Sequence, residues 1–185
     1  MVEAWADRLR GRAEVLVDEP YQHYRFAGRA DLVAWSAESR ALLHVEIRTA
    51  FPDLQDAIGR YNAKRAYLGA VLAERLGIRG GWTTETHALV ALWSAEVIHV
   101  MRLRSATFQA VGPDEISNLG AWWDDDGGSR RGRLRRTSVV ALFDPIAGSR
   151  SDRRRLVGLD RLDRIRPRHR DYADALRSLR RAGLA

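Results

Sequence analysis

At 185 residues the chain has the length of one domain, and 45% hydrophobic residues with six Trp describe a folded core instead of a disordered segment. The absence of Cys excludes a disulfide framework, thiolate catalysis and a thiolate metal site. No run approaches the ~18 apolar residues of a membrane span and the first residues lack an apolar signal segment, so a cytoplasmic chain with no membrane partner is expected.

The net charge of +7 is unevenly spread. Of 31 basic residues thirty are Arg, and Lys64 is the single lysine. Residues 150–185 hold 12 Arg against 5 Asp, whereas residues 1–149 hold 19 basic and 19 acidic residues, so the whole excess sits at the end of the chain. Such a segment can track a phosphate backbone by releasing counterions, which makes DNA the expected partner. The same bias also fits plain solvated surface in a chain that prefers Arg everywhere. Two basic groups are the nucleic-acid-binding candidates: Arg130, Arg131, Arg133, Arg135 and Arg136 in one loop, and Arg153, Arg154 and Arg155 in the tail. The composition divides the chain into an α/β domain over 1–147 and an Arg-rich tail over 148–185.

In chain order, residues 3–12 have helical spacing, with Trp5, Ala6 and Leu9 on one face. Residues 13–24 read as a first strand, bent or extended at Pro20. Residues 28–48, GRADLVAWSAESRALLHVEIR, read as two strands joined by a polar turn at Ser36–Ser39. On the second of these, Leu42, His44, Glu46 and Arg48 share a face, and Leu43, Val45 and Ile47 share the other. Asp53 is placed to cap a long helix that stops at Gly77, with Leu54, Ile58, Tyr61, Leu68, Leu72 and Leu76 as its core stripe. Thr86–Ser94 is a near-continuous apolar strand, Glu96–Phe108 has helical spacing, and Thr137–Pro145 is a late strand. A last helix is expected near Asp171–Arg181, with Tyr172, Ala175, Leu176 and Leu179 as an amphipathic stripe suited to docking on the body or to self-association as a homodimer. The expected class is α/β (α+β), a central mixed β-sheet flanked by helices with a C-terminal helical extension.

The sharpest chemistry lies in the central stretch. Asp31 and Glu46 are 15 residues apart on adjacent strands, close enough to share a hard divalent cation such as Mg²⁺ or Mn²⁺. A metal so held lowers the pKa of bound water, and a neighbouring cation stabilises developing negative charge. An acid at a strand end beside an alternating Glu/Arg pair is equally what a solvated sheet face looks like. Among the five His, at 23, 44, 87, 99 and 169, no metal-binding spacing occurs, and His44 is only a neighbour of Glu46. The Trp122-Trp123 pair beside a charged loop is the best exposed candidate for base stacking, although core packing is the commoner role for Trp.

GRAD (28–31), HVEIR (44–48) and the following helix with Gln and Lys resemble the PD-(D/E)xK nuclease-like superfamily. Within it, the likeness is nearest to restriction-endonuclease-like domains of actinobacterial, often helix-turn-helix-linked, proteins. The resemblance covers about half the chain and implies an αβββαβ core, metal-dependent phosphodiester hydrolysis of DNA, and a helix-turn-helix partner or neighbour. It implies Asp31, Glu46 and the Ile47 carbonyl as metal ligands, Glu3 or else Asp7 as an accessory acid, and Gln55 as a residue orienting phosphate or water.

One departure matters most: Arg48 stands where the family has Lys. Arg stays charged, so it can stabilise a transition state but cannot act as a base, and its bulkier fork can pair with Glu46 in competition with a metal. Lys64 is the candidate replacement, since Asp56, Arg60 and Lys64 recur at four-residue intervals along one helix face. The alternative to a working nuclease is a catalytically inactive module used for DNA binding, transcriptional regulation or protein interaction.

Overall fold

The computed structural model describes residues 1–123, 136–146 and 155–183. Six strands form one mixed sheet in the order β1-β2-β3-β4-β5-β6: β1 (Glu14–His23), β2 (Phe26–Ser36), β3 (Ala41–Arg48), β4 (Thr84–Leu92), β5 (Arg136–Phe143) and β6 (Leu156–Gly158). β1, β2 and β3 are antiparallel neighbours, β3, β4 and β5 run parallel, and β6 returns antiparallel to β5. The first six elements follow the order helix, three strands, helix, strand.

Helices cover both faces. On one side α1 (Val2–Leu9) and α5 (Ser117–Trp123) pack Trp5, Leu9, Leu119 and Trp122 against Leu32, Leu43, Val45, Val90 and Phe143. On the other lie α2 (Leu54–Arg75), α3 (Ala95–Leu103) and α4 (Ser105–Val111), with Tyr61, Met101 and Phe108 over Leu89, Val140 and Leu142. The helical spacing of 96–108 thus resolves into two helices meeting at Arg104, the C-cap of α3 and the N-cap of α4. Trp122 is core, 4% exposed, so the stacking role considered for it is withdrawn; the Trp123 side chain lies outside the described residues.

The ends of α2 are set by local chemistry. The Asp53 carboxylate accepts from the Asp56 N–H at 2.9 Å, satisfying a first-turn donor that the helix itself cannot pair. Gly77, at φ +67°, ends it: its N–H bonds to Glu74 O and the Ile78 N–H to Ala73 O, the paired closure that a left-handed residue permits.

The β1–β2 hairpin contains a change of side-chain parity. Leu32 and Ala34 point toward α1, yet Ala30, an even step away, joins the α2-side cluster with Val33 and Leu42. On β1, Val15 packs toward α1 and Tyr21, also an even step away, toward α2. The switch falls at Asp18 and Asp31, which drop out of an otherwise unbroken ladder, with Asp18 at φ +54°. β3 pairs only with Leu32–Ser36 of β2, so the outer part of the hairpin projects as a two-stranded arm.

The boundary expected at 147/148 falls among residues outside the description. Beyond it, β6 joins the sheet, and Arg168 and His169 donate backbone N–H groups to Trp93 O. The last helix, α6 (Tyr172–Arg181), starts from an Asp171 cap and buries Ala175, while Leu176 and Leu179 stay half-buried and Tyr172 half-exposed. No described helix is long and apolar enough to cross a membrane.

Candidate functional site

The register of β2 on β3 runs Leu32 to Val45, and one step further the carboxylates of Asp31 and Glu46 come together as the strands part. Asp31 Oδ2 accepts from the Ile47 N–H at 2.7 Å, and Glu46 Oε1 lies 3.4 Å from the Asp31 N–H. Each strand thus uses its acid to replace a ladder bond lost at the parting. The α2 helix lies over this point and brings Lys64, buried at 5% exposure, to 2.6 Å from Glu46 Oε1.

Arg48 closes the centre. Its Nη1 is 3.1 Å from Asp31 Oδ2 and 2.8 Å from the Ile47 carbonyl oxygen, and its Nη2 is 3.0 Å from Glu46 Oε2. These are the three groups that the resemblance assigns to a metal, and a guanidinium holds all of them. Glu46 is heavily engaged besides: Lys64, His44 and the Asp31 N–H all point at its Oε1, and Arg48 at its Oε2. As arranged, these donors do not fit a divalent ion, which would have to displace Arg48. Among the described residues no group of three or more His, Asp or Glu is arranged to hold a metal ion.

The two carboxyls are pushed in opposite directions. Burial raises Glu46, but the His44 hydrogen bond, the His44 charge and Lys64 outweigh it, and the carboxyl settles at about 2. Asp31 is raised, first by burial and then by the Glu46 charge, with the Ile47 N–H, Arg48 and Lys64 opposing. Glu46 is therefore a fixed anion around which the cations are built.

From Glu46 a buried polar row continues under α2. His44 Nε2 is 3.1 Å from Glu46 Oε1, the Nδ1 atoms of His44 and His87 are 3.2 Å apart, and His87 Nε2 is 3.3 Å from Glu85 Oε2. Arg136 ends the row, with Nε and Nη2 at 3.1 and 2.8 Å from the same Glu85 oxygen. Three gaps need three hydrogens, and two neutral imidazoles carry two. All three are satisfied when His44 carries hydrogen on both ring nitrogens and His87 on Nε2. Burial pushes His87 down to about 4, in keeping with a neutral ring there. Tyr61 covers the row from α2: its ring stacks on His44 at 6.0 Å, and its hydroxyl meets Ser138 Oγ at 2.8 Å. Gly69 lets Glu85 lie beneath the helix, because a Cβ there would come within 2.6 Å of Glu85 Oε2.

Of the residues singled out from sequence, Asp31, Glu46, Ile47, Arg48 and Lys64 are brought together. Glu3 and Asp7 are not. The α1 helix packs through Trp5, Ala6 and Leu9 on the opposite face of the sheet, leaving Glu3 exposed beside the N-terminal ammonium at 3.5 Å and Asp7 exposed beside Arg10. Gln55 is exposed in the first turn of α2, and among the described residues no hydrogen bond joins it to the carboxylates. Asp56 and Arg60 pair with each other in solvent at 2.9 Å; each four-residue step turns 40° beyond a full circle, so Lys64 has rotated into the core while they have not. Arg136 pairs with Glu85 at 2.8 Å while its side chain stays half exposed, and Arg155 is half-buried, its carbonyl accepting from the Asp144 N–H at 2.9 Å. Arg130, Arg131, Arg133, Arg135, Arg153 and Arg154 lie outside the described residues.

The His44–His87 contact was missed because spacing within a strand cannot reveal it. A signal does exist: β3 carries HVE (44–46) and β4 carries ETH (85–87), mirror-ordered pairs that parallel pairing of His44 with His87 converts into one row. Comparison of the chain with family models, with curated proteins and with solved structures finds no match in any of the three.

Proposed function

We propose that this chain is a nuclease-like module that associates with DNA without hydrolysing it, its metal position taken by its own Arg48. The observation that carries the reading is the guanidinium's simultaneous contact with Asp31, the Ile47 carbonyl and Glu46. Supporting it are the order of the first six elements, the two acids on adjacent strands, and the net charge of +7. A guanidinium supplies positive charge but neither binds and acidifies a water nor gives up a proton, so it preserves the shape of the centre without its chemistry. A second reading, metal-dependent phosphodiester hydrolysis with Mg²⁺ or Mn²⁺, draws on Lys64, a buried lysine beside the carboxylates where the usual one is absent. It requires Arg48 to leave.

Calorimetric titration with Mn²⁺, run beside incubation of plasmid DNA with Mg²⁺ or Mn²⁺, separates the two. The expected result is no metal binding and no cleavage by the wild type, with DNA affinity that falls steeply with salt. Arg48→Ala should gain Mn²⁺ binding that Arg48→Ala/Glu46→Gln lacks. Metal-dependent cleavage by the wild type, lost in Glu46→Gln, would overturn the reading.

A further inference from the structure

We infer that the tip of the β1–β2 hairpin is a stacking platform for unpaired nucleotide bases. The inference rests on the DNA-associated reading and specifies which form of nucleic acid the module takes. His23 and Phe26 are the last paired residues of the arm, and Tyr24 and Arg25 make the turn. Tyr67, from α2, stacks on His23 with ring centres 4.5 Å apart at 19° and on Phe26 at 5.2 Å and 27°. Tyr24 meets His23 edge-on at 4.7 Å, and the Arg25 guanidinium lies 5.7 Å from the centre of the Phe26 ring.

This cluster is not core. Tyr24 is 86% exposed and Phe26 37%, so the tip supplies two of the five large apolar side chains exposed among the described residues. Nor is it a loose turn. Tyr24 occupies φ +51°, a region where a side chain costs roughly 1–2 kcal/mol and where Gly is the usual choice. The chain holds a large ring in strain at its outermost point and pins its neighbours against a helix, so the surface is ordered before anything binds.

An exposed ring standing edge-on to a short aromatic stack, with a guanidinium beside it, matches a base and its phosphate better than it matches an aliphatic peptide. In a duplex the base faces are covered by their neighbours, so single-stranded DNA is the form that such rings can stack. The position fits as well. Tyr67 follows Lys64 by three residues, about 4.5 Å along α2, so a strand stacked at the tip would continue toward the partly exposed Asp31 and Arg48.

Fluorescence anisotropy of a labelled single-stranded oligonucleotide and of its duplex tests this, using the full chain and Tyr24→Gly, which removes the ring while relieving the backbone. The wild type should favour the single strand. Tyr24→Gly should weaken that binding about tenfold and leave the duplex unchanged, and Arg25→Gln should lower the salt dependence by about one ion. Unaltered single-strand binding by Tyr24→Gly would overturn the platform while leaving DNA association intact; no binding of either form by the wild type would overturn both. Loss of self-association in Tyr24→Gly, measured by sedimentation with single-strand affinity unchanged, would make the patch a protein interface instead.

Discussion

Toward α1, the strands β3, β4 and β5 present Leu43, Val45, Ala88, Val90, Val139, Ala141 and Phe143; toward α2 the alternating residues include His44, Glu46, Glu85, His87 and Ser138. Both sets are buried, from the same three strands, by helices of the same fold. The first face removes apolar area from water and holds the domain together. The second removes carboxylates, imidazoles and an ammonium from water, each at a desolvation cost that pairing offsets only in part. Apolar residues of similar volume would have served stability as well or better. A buried polar row kept under those conditions makes the α2 side the costlier of the two faces, and the contrast can be broken experimentally.

The largest effects should come from one deletion on each face. Trp5→Ala removes a fully buried ring and is expected to cost about 3–5 kcal/mol in urea unfolding. Glu46→Ala should cost a similar ~3–5 kcal/mol for a different reason, since it strands the buried Lys64 without its anion and leaves Arg48 with Asp31 alone. The two are told apart by rescue: pairing Glu46→Met with Lys64→Met should recover much of the loss, while no second substitution near Trp5 does so by removing charge.

A smaller effect separates the faces by pH. His87 titrates at about 4 in the fold against 6.5 ordinarily, so the unfolded chain binds the extra proton first and stability falls as pH drops from about 6.5 to about 4. Glu46, depressed from 4.5 to about 2, adds a further loss as pH falls through that lower range. Urea midpoints measured across both windows should decline, and His87→Gln should flatten the upper one; an unchanged upper slope would remove His87 from the row's titration. The smallest effect is the control. Asp56→Ala breaks an exposed pair with Arg60 and should leave the urea midpoint almost unchanged, because water and salt screen it.

How much of this could be read in advance depended on the range of the interaction. The α2 helix was legible end to end because its caps, Asp53 and Gly77, act within one turn. Alternation on β3 correctly put Glu46 with His44 and Val45 with Leu43, since period two is a property of one strand. Asp31 and Glu46 were found because a tight hairpin joins their strands. The row beyond Glu46 was not, because β3 and β4 are joined through α2 and their register is set by packing far from either His. Likewise β6 and α5 were too short to show a period, and Trp122 looked available only because the burial that α5 provides leaves no local sign. The closure by Arg48 was half legible: competition with a metal could be anticipated from the length of its fork, its grip on three separate groups could not.

The parity change at Asp18 and Asp31 limits how this hairpin can vary. It allows one strand pair to face α1 at its base and α2 at its tip, so Tyr21 and His23 reach the helix that also carries Lys64. Lengthening or shortening the arm by one residue per strand would turn the aromatic set to the opposite side, whereas a change of two would keep it facing Tyr67. Viable length variants of this arm are therefore expected to differ by even steps.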